Sequence, residues 1–306
     1  MNMGLFAGAY IKLYIKGYKS MREDFVVFIL SNRRAGSVTT LESLHKSGYT
    51  GKWYIIVDNE DDTIHDYVNN YGEDHVIVFD KKLAAAMTDT CENSGKRNGV
   101  VFARNVCFDI AKDIGVKYFV ELDDDYVRFE YRYEENDKLM TVMLEDFDSV
   151  VDEMIEFLES SGASVVAFSQ GGDFIGGVGS QNFRKKLVRK VMNTFFCSTD
   201  RPFKFFGLMN DDVNTYTTLG QSGALFLTYT PVSLVQGVTQ QVSGGLTDIY
   251  LTAGTYQKSF YSVMCCPSAV KIATMGDKHP RMHHIVNWET CVPKIISDKF
   301  RKIVDI

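Results

Sequence analysis

Between residues 25 and 123 the sequence alternates short apolar runs with segments of helical period, and no other feature narrows the possible folds as much. FVVFILS, YIIVD, VIVFD and YFVEL read as strands, while TTLESLHKSG, TIHDYVNNYG and ARNVCFDIAKDIG read as helices between them. Thr39 or Thr40 is placed to cap the first helix and Gly48 to stop it. Strands joined by helix-length connections form βαβ units, so the pattern predicts an α/β fold with a mostly parallel open sheet flanked by helices. Further on, FDSVVDEMIEFLESSG carries Val150, Val151, Met154, Ile155 and Leu158 along one helical stripe, and SVVAFSQ supplies another strand.

From about Gly171 the helical period fades and Gly, Thr, Ser and aromatic residues increase, which predicts irregular strands and loops that complete a site. No repeat, low-complexity tract or linker interrupts the chain. We expect a mobile amino-terminal tail over 1–24 and one domain over 25–306, with halves near 25–170 and 171–306. The chain of 306 residues is long enough for a large core, and its net charge of −6 neither identifies nor excludes an anionic partner, because local patches set the field at a site. Lys12 and Lys16 break the apolar stretch at the amino end, and no run of about 18 apolar residues occurs, which predicts a cytoplasmic protein without a membrane span. The six cysteines lack zinc-site spacing, so reduced thiols are expected.

The stretch YFVELDDDYV, residues 118–127, sets three carboxylates behind an apolar strand, where their mutual repulsion is unfavourable. In an extended strand Asp123 and Asp125 project to one side and Asp124 to the other. Two converging carboxylates at the carboxyl end of a sheet strand suit a hard divalent cation that also bridges phosphate oxygens. The alternative is a solvated acidic turn.

Taken in order, FILSNRRAGSVTTLESL, YIIVDNEDD, ARNVCFDIA and YFVELDDD resemble the nucleotide-sugar-binding half of a GT-A glycosyltransferase, which implies a Rossmann-like GT-A fold. By that resemblance Asp123 and Asp125 are the DxD pair that holds Mn²⁺ or Mg²⁺ on the diphosphate of a UDP-sugar. Asn32, Arg33 and Gly36 of SNRRAG embrace the nucleoside with Asp58, and Arg104 lies near the diphosphate or beside the acidic strand, with Asp124 in the same site. Simpler roles stand beside these: solvated loop charges for Arg33 and Arg34, a strand-end cap for Asp58, and neutralisation of a neighbouring aspartate for Arg104.

FFGLMNDDVNTYTTLGQSGALFLTYTPVSLVQ and GGLTDIYLTAGTYQKSFYSVMCCPSAVK resemble the TET-associated glycosyltransferases encoded by phages. The likeness runs from about residue 25 to about 298. It implies transfer to 5-hydroxymethylcytosine or 5-hydroxymethyluracil in double-stranded DNA, in a host cytoplasm, with a glycan, protein or small molecule as the competing acceptor. A module that binds DNA without turnover is disfavoured, since a pure binder gains nothing from the acidic cluster.

Transfer to an alcohol needs a base, a stabilised leaving diphosphate and exclusion of water. Asp211 and Asp212 of NDDVNTY are the candidate bases, with helix capping as the alternative. Inverting GT-A enzymes place an acidic base comparably, which favours Asp212. His283 and His284 of HPRMHH are candidate late metal ligands. In FRKKLVRK, the residues Arg184, Lys185, Lys186, Arg189 and Lys190 form a basic segment suited to DNA phosphates, or else a solvated amphipathic helix. GGDFIGGVGSQN is expected as a mobile loop over the acceptor.

Overall fold

The structure, a computed structural model, describes residues 21–93, 95–237, 258–275, 281–291, 295, 296 and 298. Residues 1–20 of the expected tail and the GGLTDIYLTAGTYQ part of the second-half motif, residues 244–257, lie outside the described residues. Four strands, β1 (Phe25–Leu30), β2 (Lys52–Asp58), β3 (Val76–Phe79) and β4 (Tyr118–Asp123), lie in the order β3-β2-β1-β4, each parallel to its neighbour. A hairpin of β5 (Tyr126–Glu135) and β6 (Lys138–Met143) is followed by β7 (Val165–Ser169), β8 (Leu187–Val188), β9 (Phe195–Ser198) and β10 (Phe226–Gln236), completing a ten-stranded sheet. Here β9 runs antiparallel between β4 and β7, β7 and β10 are parallel, and β10 pairs antiparallel with β5 and β8. Two later strands, β11 (Val270–Met275) and β12 (Arg281–Val286), form a separate antiparallel pair.

β1 is buried along its whole length because both faces of the sheet are covered. Its side chains alternate: Phe25, Val27 and Ile29 join the core under helices Thr39–Lys46 and Phe147–Ser161, while Val26, Phe28 and Leu30 join the core under Val101–Asp113 and Asp211–Gln221. Phe28 packs on Phe119 with ring centroids 5.5 Å apart, and each such buried ring contributes roughly 2–3 kcal/mol. The stripe Val150, Val151, Met154, Ile155 and Leu158 is buried as expected. That helix is capped by Asp146, which accepts from Ser149 N, and ends at left-handed Gly162.

The first helix departs from expectation. Its N-cap position is Val38, with no side-chain cap. Thr39 Oγ1 donates to Asp124 O at 3.2 Å and Thr40 Oγ1 to Asp123 O at 2.5 Å, while Thr40 Oγ1 accepts from Tyr126 N. The hydroxyls therefore satisfy the backbone of the β4–β5 turn instead of the helix's own amides. Gly48 does close this helix, with φ of 81°, and a Cβ there would stand 2.4 Å from Glu145 O.

Because β1, β2 and β4 are parallel, Ser31–Arg34, Asp58 and Asp123 share one edge of the sheet. The chain passes from β1 to β2 on one side and returns to β4 on the other, so the crevice between the ends of β1 and β4 is where an open α/β sheet takes its ligand.

Candidate active site

The acidic triplet is a turn rather than the continuous strand expected. β4 ends at Asp123, Asp124 and Asp125 form the reversal, and β5 starts at Tyr126. The helix Thr39–Lys46 pins this reversal through both threonines, Thr40 N to Asp124 O at 3.2 Å, and Ser43 Oγ to Tyr126 O at 2.9 Å. Asp124 points inward, accepting from Ser31 Oγ at 2.5 Å and Arg34 Nη1 at 2.8 Å. Burial raises its pKa, against the pull of Arg34 and Ser31. Both of its oxygens are thus engaged by β1-end residues; the sequence reading set the SNRRAG segment at the nucleoside, with Arg34 as a solvated charge in the alternative, and did not pair Ser31 or Arg34 with Asp124. Asp125 Oδ1 is buried with no hydrogen-bond partner among the described residues, and burial followed by the charges of Asp123 and Asp124 pushes this carboxyl up to about 6.

Arg104, on the helix Val101–Asp113, is 5% exposed and stands between two carboxylates. Its Nη2 is 3.4 Å from Asp123 Oδ1, and its Nε is 3.2 Å from Asp211 Oδ2, the latter without hydrogen-bond alignment. The guanidinium lies over Phe195 at 4.4 Å and Phe205 at 5.6 Å. Burial pulls its pKa down, but Asp211 and then Asp123 outweigh that and leave it raised. Glu121 sits in the same cluster, fully buried, with neither oxygen hydrogen-bonded by geometry. Burial drives its pKa well up, against the pull of Arg104. Of the alternatives for Arg104, the structure shows the ion pair beside the acidic strand.

Asp211 and Asp212 open the helix Asp211–Gln221, preceded by Asn210 in a left-handed conformation with φ of 52°. Neither aspartate caps the helix. Asp211 is buried against Arg104, whereas Asp212 is half-buried, and burial followed by the Asp211 charge raises its carboxyl to about 6. Asn210 Nδ2 donates to Lys258 O at 2.8 Å and Ser262 Oγ at 3.1 Å, and lies 3.4 Å from His284 Nδ1. His283 and His284 stack with centroids 4.4 Å apart on β12. Burial, then His283 and Lys258, lowers His284 to about 4, so its ring is neutral at neutral pH.

At the carboxyl end of β2, where the nucleoside is expected, Asp58 is 5% exposed. It accepts from Asn32 Nδ2 at 2.9 Å, Lys81 Nζ at 3.1 Å and Glu60 N at 3.0 Å. Asp61 accepts from Arg33 N at 2.6 Å, and Tyr67 Oη accepts from Arg34 N at 2.9 Å. The Arg33 side chain turns outward to Asp62 at 3.2 Å, and a Cβ on Gly36 would meet open space. Lys81, Asp61 and Tyr67 were invisible to sequence reasoning because strand order, not spacing, brings them together.

As the side chains stand, no three or more His, Cys, Asp or Glu residues among those described gather to hold a metal ion. The orphaned oxygen of Asp125 beside Asp123 nonetheless fits a hard cation that takes one or two carboxylates and completes its shell with water and substrate phosphate.

The basic segment is not an amphipathic helix. Gln181–Lys185 forms one short helix, Lys186 reverses the chain with φ of 59°, and β8 follows. Arg184, Lys185, Lys186 and Arg189 are exposed, but Lys190 turns inward to Asp173. The glycine-rich stretch before it folds into two 3₁₀ turns, Gly171–Phe174 and Gly177–Gly179, around buried Asp173, which accepts from Gln170 N and Asn182 Nδ2. Lys190 Nζ lies 5.9 Å above Trp288, and Trp288 stacks on Tyr216 at 5.3 Å. The basic segment thus adjoins the helix that carries Asp212.

The sequence model of the TET-associated glycosyltransferases matches residues 25–245. No curated protein sequence is significantly similar. Among solved structures, the chain is similar to glucosyl-3-phosphoglycerate synthase from Mycobacterium tuberculosis in complex with Mn²⁺, UDP and glucosyl-3-phosphoglycerate, at 11% identity, covering 86% of this chain and 87% of that one, with a TM-score of 0.43. A second structure of the M. tuberculosis synthase shares 13% identity over 88% and 92% of the two chains, with a TM-score of 0.42. Among the described residues no helix is long and apolar enough to cross a membrane.

Proposed function

Because the chain belongs to the TET-associated glycosyltransferase family, we propose that it moves a sugar from a UDP-sugar to the hydroxymethyl group of 5-hydroxymethylcytosine or 5-hydroxymethyluracil in double-stranded DNA. The observation that carries the reading is the buried cluster in which Arg104 joins Asp123, at the end of β4, to Asp211, at the start of the helix from the second half. Donor and acceptor must meet within bonding distance, and this cluster is where groups suited to each converge.

In this reading Asn32, Arg33, Gly36 and Asp58 line the nucleoside edge, and Asp124 fixes Arg34 rather than touching the donor. Asp123 and Asp125 would hold Mn²⁺ or Mg²⁺, which when bound neutralises charge developing on the departing diphosphate. Burial raises the Asp211 carboxyl and Arg104, 3.2 Å away, opposes that rise beside Asp212. Asp212, half-buried with a pKa near neutral, takes the proton from the acceptor hydroxymethyl oxygen as the anomeric carbon is transferred. Arg184, Lys185, Lys186 and Arg189 contact DNA phosphates, while Lys190 holds the glycine-rich turns in place. A hydroxymethyl group on a stacked base points into the major groove, so reaching Asp212 requires the nucleotide to flip or the duplex to distort.

The test is UDP release from a panel of UDP-sugars with hydroxymethylated DNA, unmodified DNA, and glycan or small-molecule acceptors. Release confined to hydroxymethylated DNA is expected. Equal release with unmodified DNA, or release only with a non-DNA acceptor, overturns the assignment.

A further inference from the structure

Cys91 and Cys265 are 174 residues apart in sequence, yet their Sγ atoms lie 3.2 Å from each other. They are half-buried, whereas the other four cysteines are fully buried. Cys91 holds a left-handed φ of 56°, a conformation that a residue with a Cβ keeps only where its surroundings enforce it. Here Cys91 N donates to Asp89 Oδ1 at 2.9 Å and Thr90 Oγ1 to Glu92 O at 3.1 Å, so the loop is shaped to present the thiol.

What the two thiols join is the mounting of the acid pair. On one side, Gly207 N donates to Asp89 O at 2.8 Å and Leu208 N to Thr90 O at 3.0 Å, which fastens the Cys91 loop to the segment leading into Asn210. On the other, the helical residues 258–265 end at Cys265 and receive the Asn210 side chain at Lys258 O and Ser262 Oγ. We propose that Cys91 and Cys265 form a reversible disulfide that ties residues 88–93 to the helix 258–265 and stiffens the support of Asn210, Asp211 and Asp212.

The oxidant is a small disulfide such as glutathione disulfide. The Cys265 thiolate attacks one of its sulfurs, its S–S bond breaks, and one thiolate leaves. Cys91 passes its proton to that leaving group and attacks the Cys265 sulfur of the mixed disulfide, expelling the second thiol. The protein pair loses two electrons, and the small disulfide gains them as two thiols. Cys265 is the first nucleophile because its hydrogen bond with Cys91 lowers its pKa, while the same bond raises that of Cys91. Closing from 3.2 Å to a bonded separation of about 2.05 Å asks little of two side chains at a loop and a helix end.

The full chain is equilibrated across reduced-to-oxidised glutathione ratios, quenched with an alkylating agent, digested and mapped by mass spectrometry, with amide hydrogen exchange run in parallel. We expect one internal crosslink, Cys91 to Cys265, with slower exchange over 88–93 and 207–212 that dithiothreitol reverses. In Cys91→Ser the crosslink vanishes and Cys265 carries a single glutathione. Absence of a Cys91–Cys265 peptide at every ratio, pairing of Cys91 with the adjacent Cys266, or a crosslink without slower exchange overturns the proposal. No donor or acceptor enters these measurements, so they stand or fall apart from the transferase reading.

Discussion

Replacing Arg104 with methionine removes one charge and leaves an unbranched apolar stem to pack on Phe195 and Phe205. At 3.2 and 3.4 Å from two carboxylates, the guanidinium gains about 5 kcal/mol from each at an effective dielectric of about 20. Part of that gain offsets the desolvation of a group only 5% exposed, so the net loss should approach the roughly 3–5 kcal/mol typical of breaking a buried pair. The assay is urea unfolding of wild type and Arg104→Met between pH 5 and pH 8. Burial already raises the Asp211 carboxyl against the pull of Arg104, and without Arg104 it rises further, so the folded variant binds more protons than its unfolded chain and loses stability as pH increases. The deficit should therefore be largest at pH 8 and smallest at pH 5, and adding Asp211→Asn should recover part of it. A deficit below about 1 kcal/mol, or one that does not change with pH, would refute the claim that Arg104 compensates this cluster.

Asp212→Asn should retain UDP-sugar and DNA binding yet slow transfer roughly 100-fold or more, and the wild-type rate should climb as pH rises through about 6, where the carboxyl loses its proton; near-normal single-turnover transfer by the variant removes it as the base. Asp123→Asn and Asp125→Asn should each abolish Mn²⁺-dependent UDP-sugar affinity in calorimetry while Asp58, bonded elsewhere, keeps the nucleoside edge intact. Reversing Arg184, Lys185, Lys186 and Arg189 should weaken DNA binding at every sequence and flatten the salt dependence by about 0.9 per lost phosphate contact. Lys190 is left unchanged in that variant because its ion pair with Asp173 is structural.

The parallel nucleus was legible because it is local: each of β1, β2, β3 and β4 is one apolar run, and the helix Phe147–Ser161 shows its stripe directly. The β5–β6 hairpin was missed, although Asn136 and Asp137, both at positive φ, mark a two-residue turn between alternating strands. Its signal was masked by charged and tyrosine-rich positions that face solvent. The DxD pair could be singled out, but its shape could not, since the reversal at Asp124 depends on hydroxyls of Thr39 and Thr40, more than 80 residues upstream. Asp58 and Lys81 meet only because β2 and β3 are neighbours in the sheet. Likewise Lys190 cannot be told from its basic neighbours in sequence, because buried Asp173 alone singles it out.

The most direct measurement digests hydroxymethylated and unmodified DNA to nucleosides after incubation with the protein, Mn²⁺ and a UDP-sugar panel, and weighs the products by mass spectrometry. One sugar's mass added to 5-hydroxymethylcytosine or 5-hydroxymethyluracil, absent with Asp123→Asn and with unmodified DNA, is the expected result. Unaltered nucleosides across the whole panel, alongside a sugar found on another acceptor, would contradict the account.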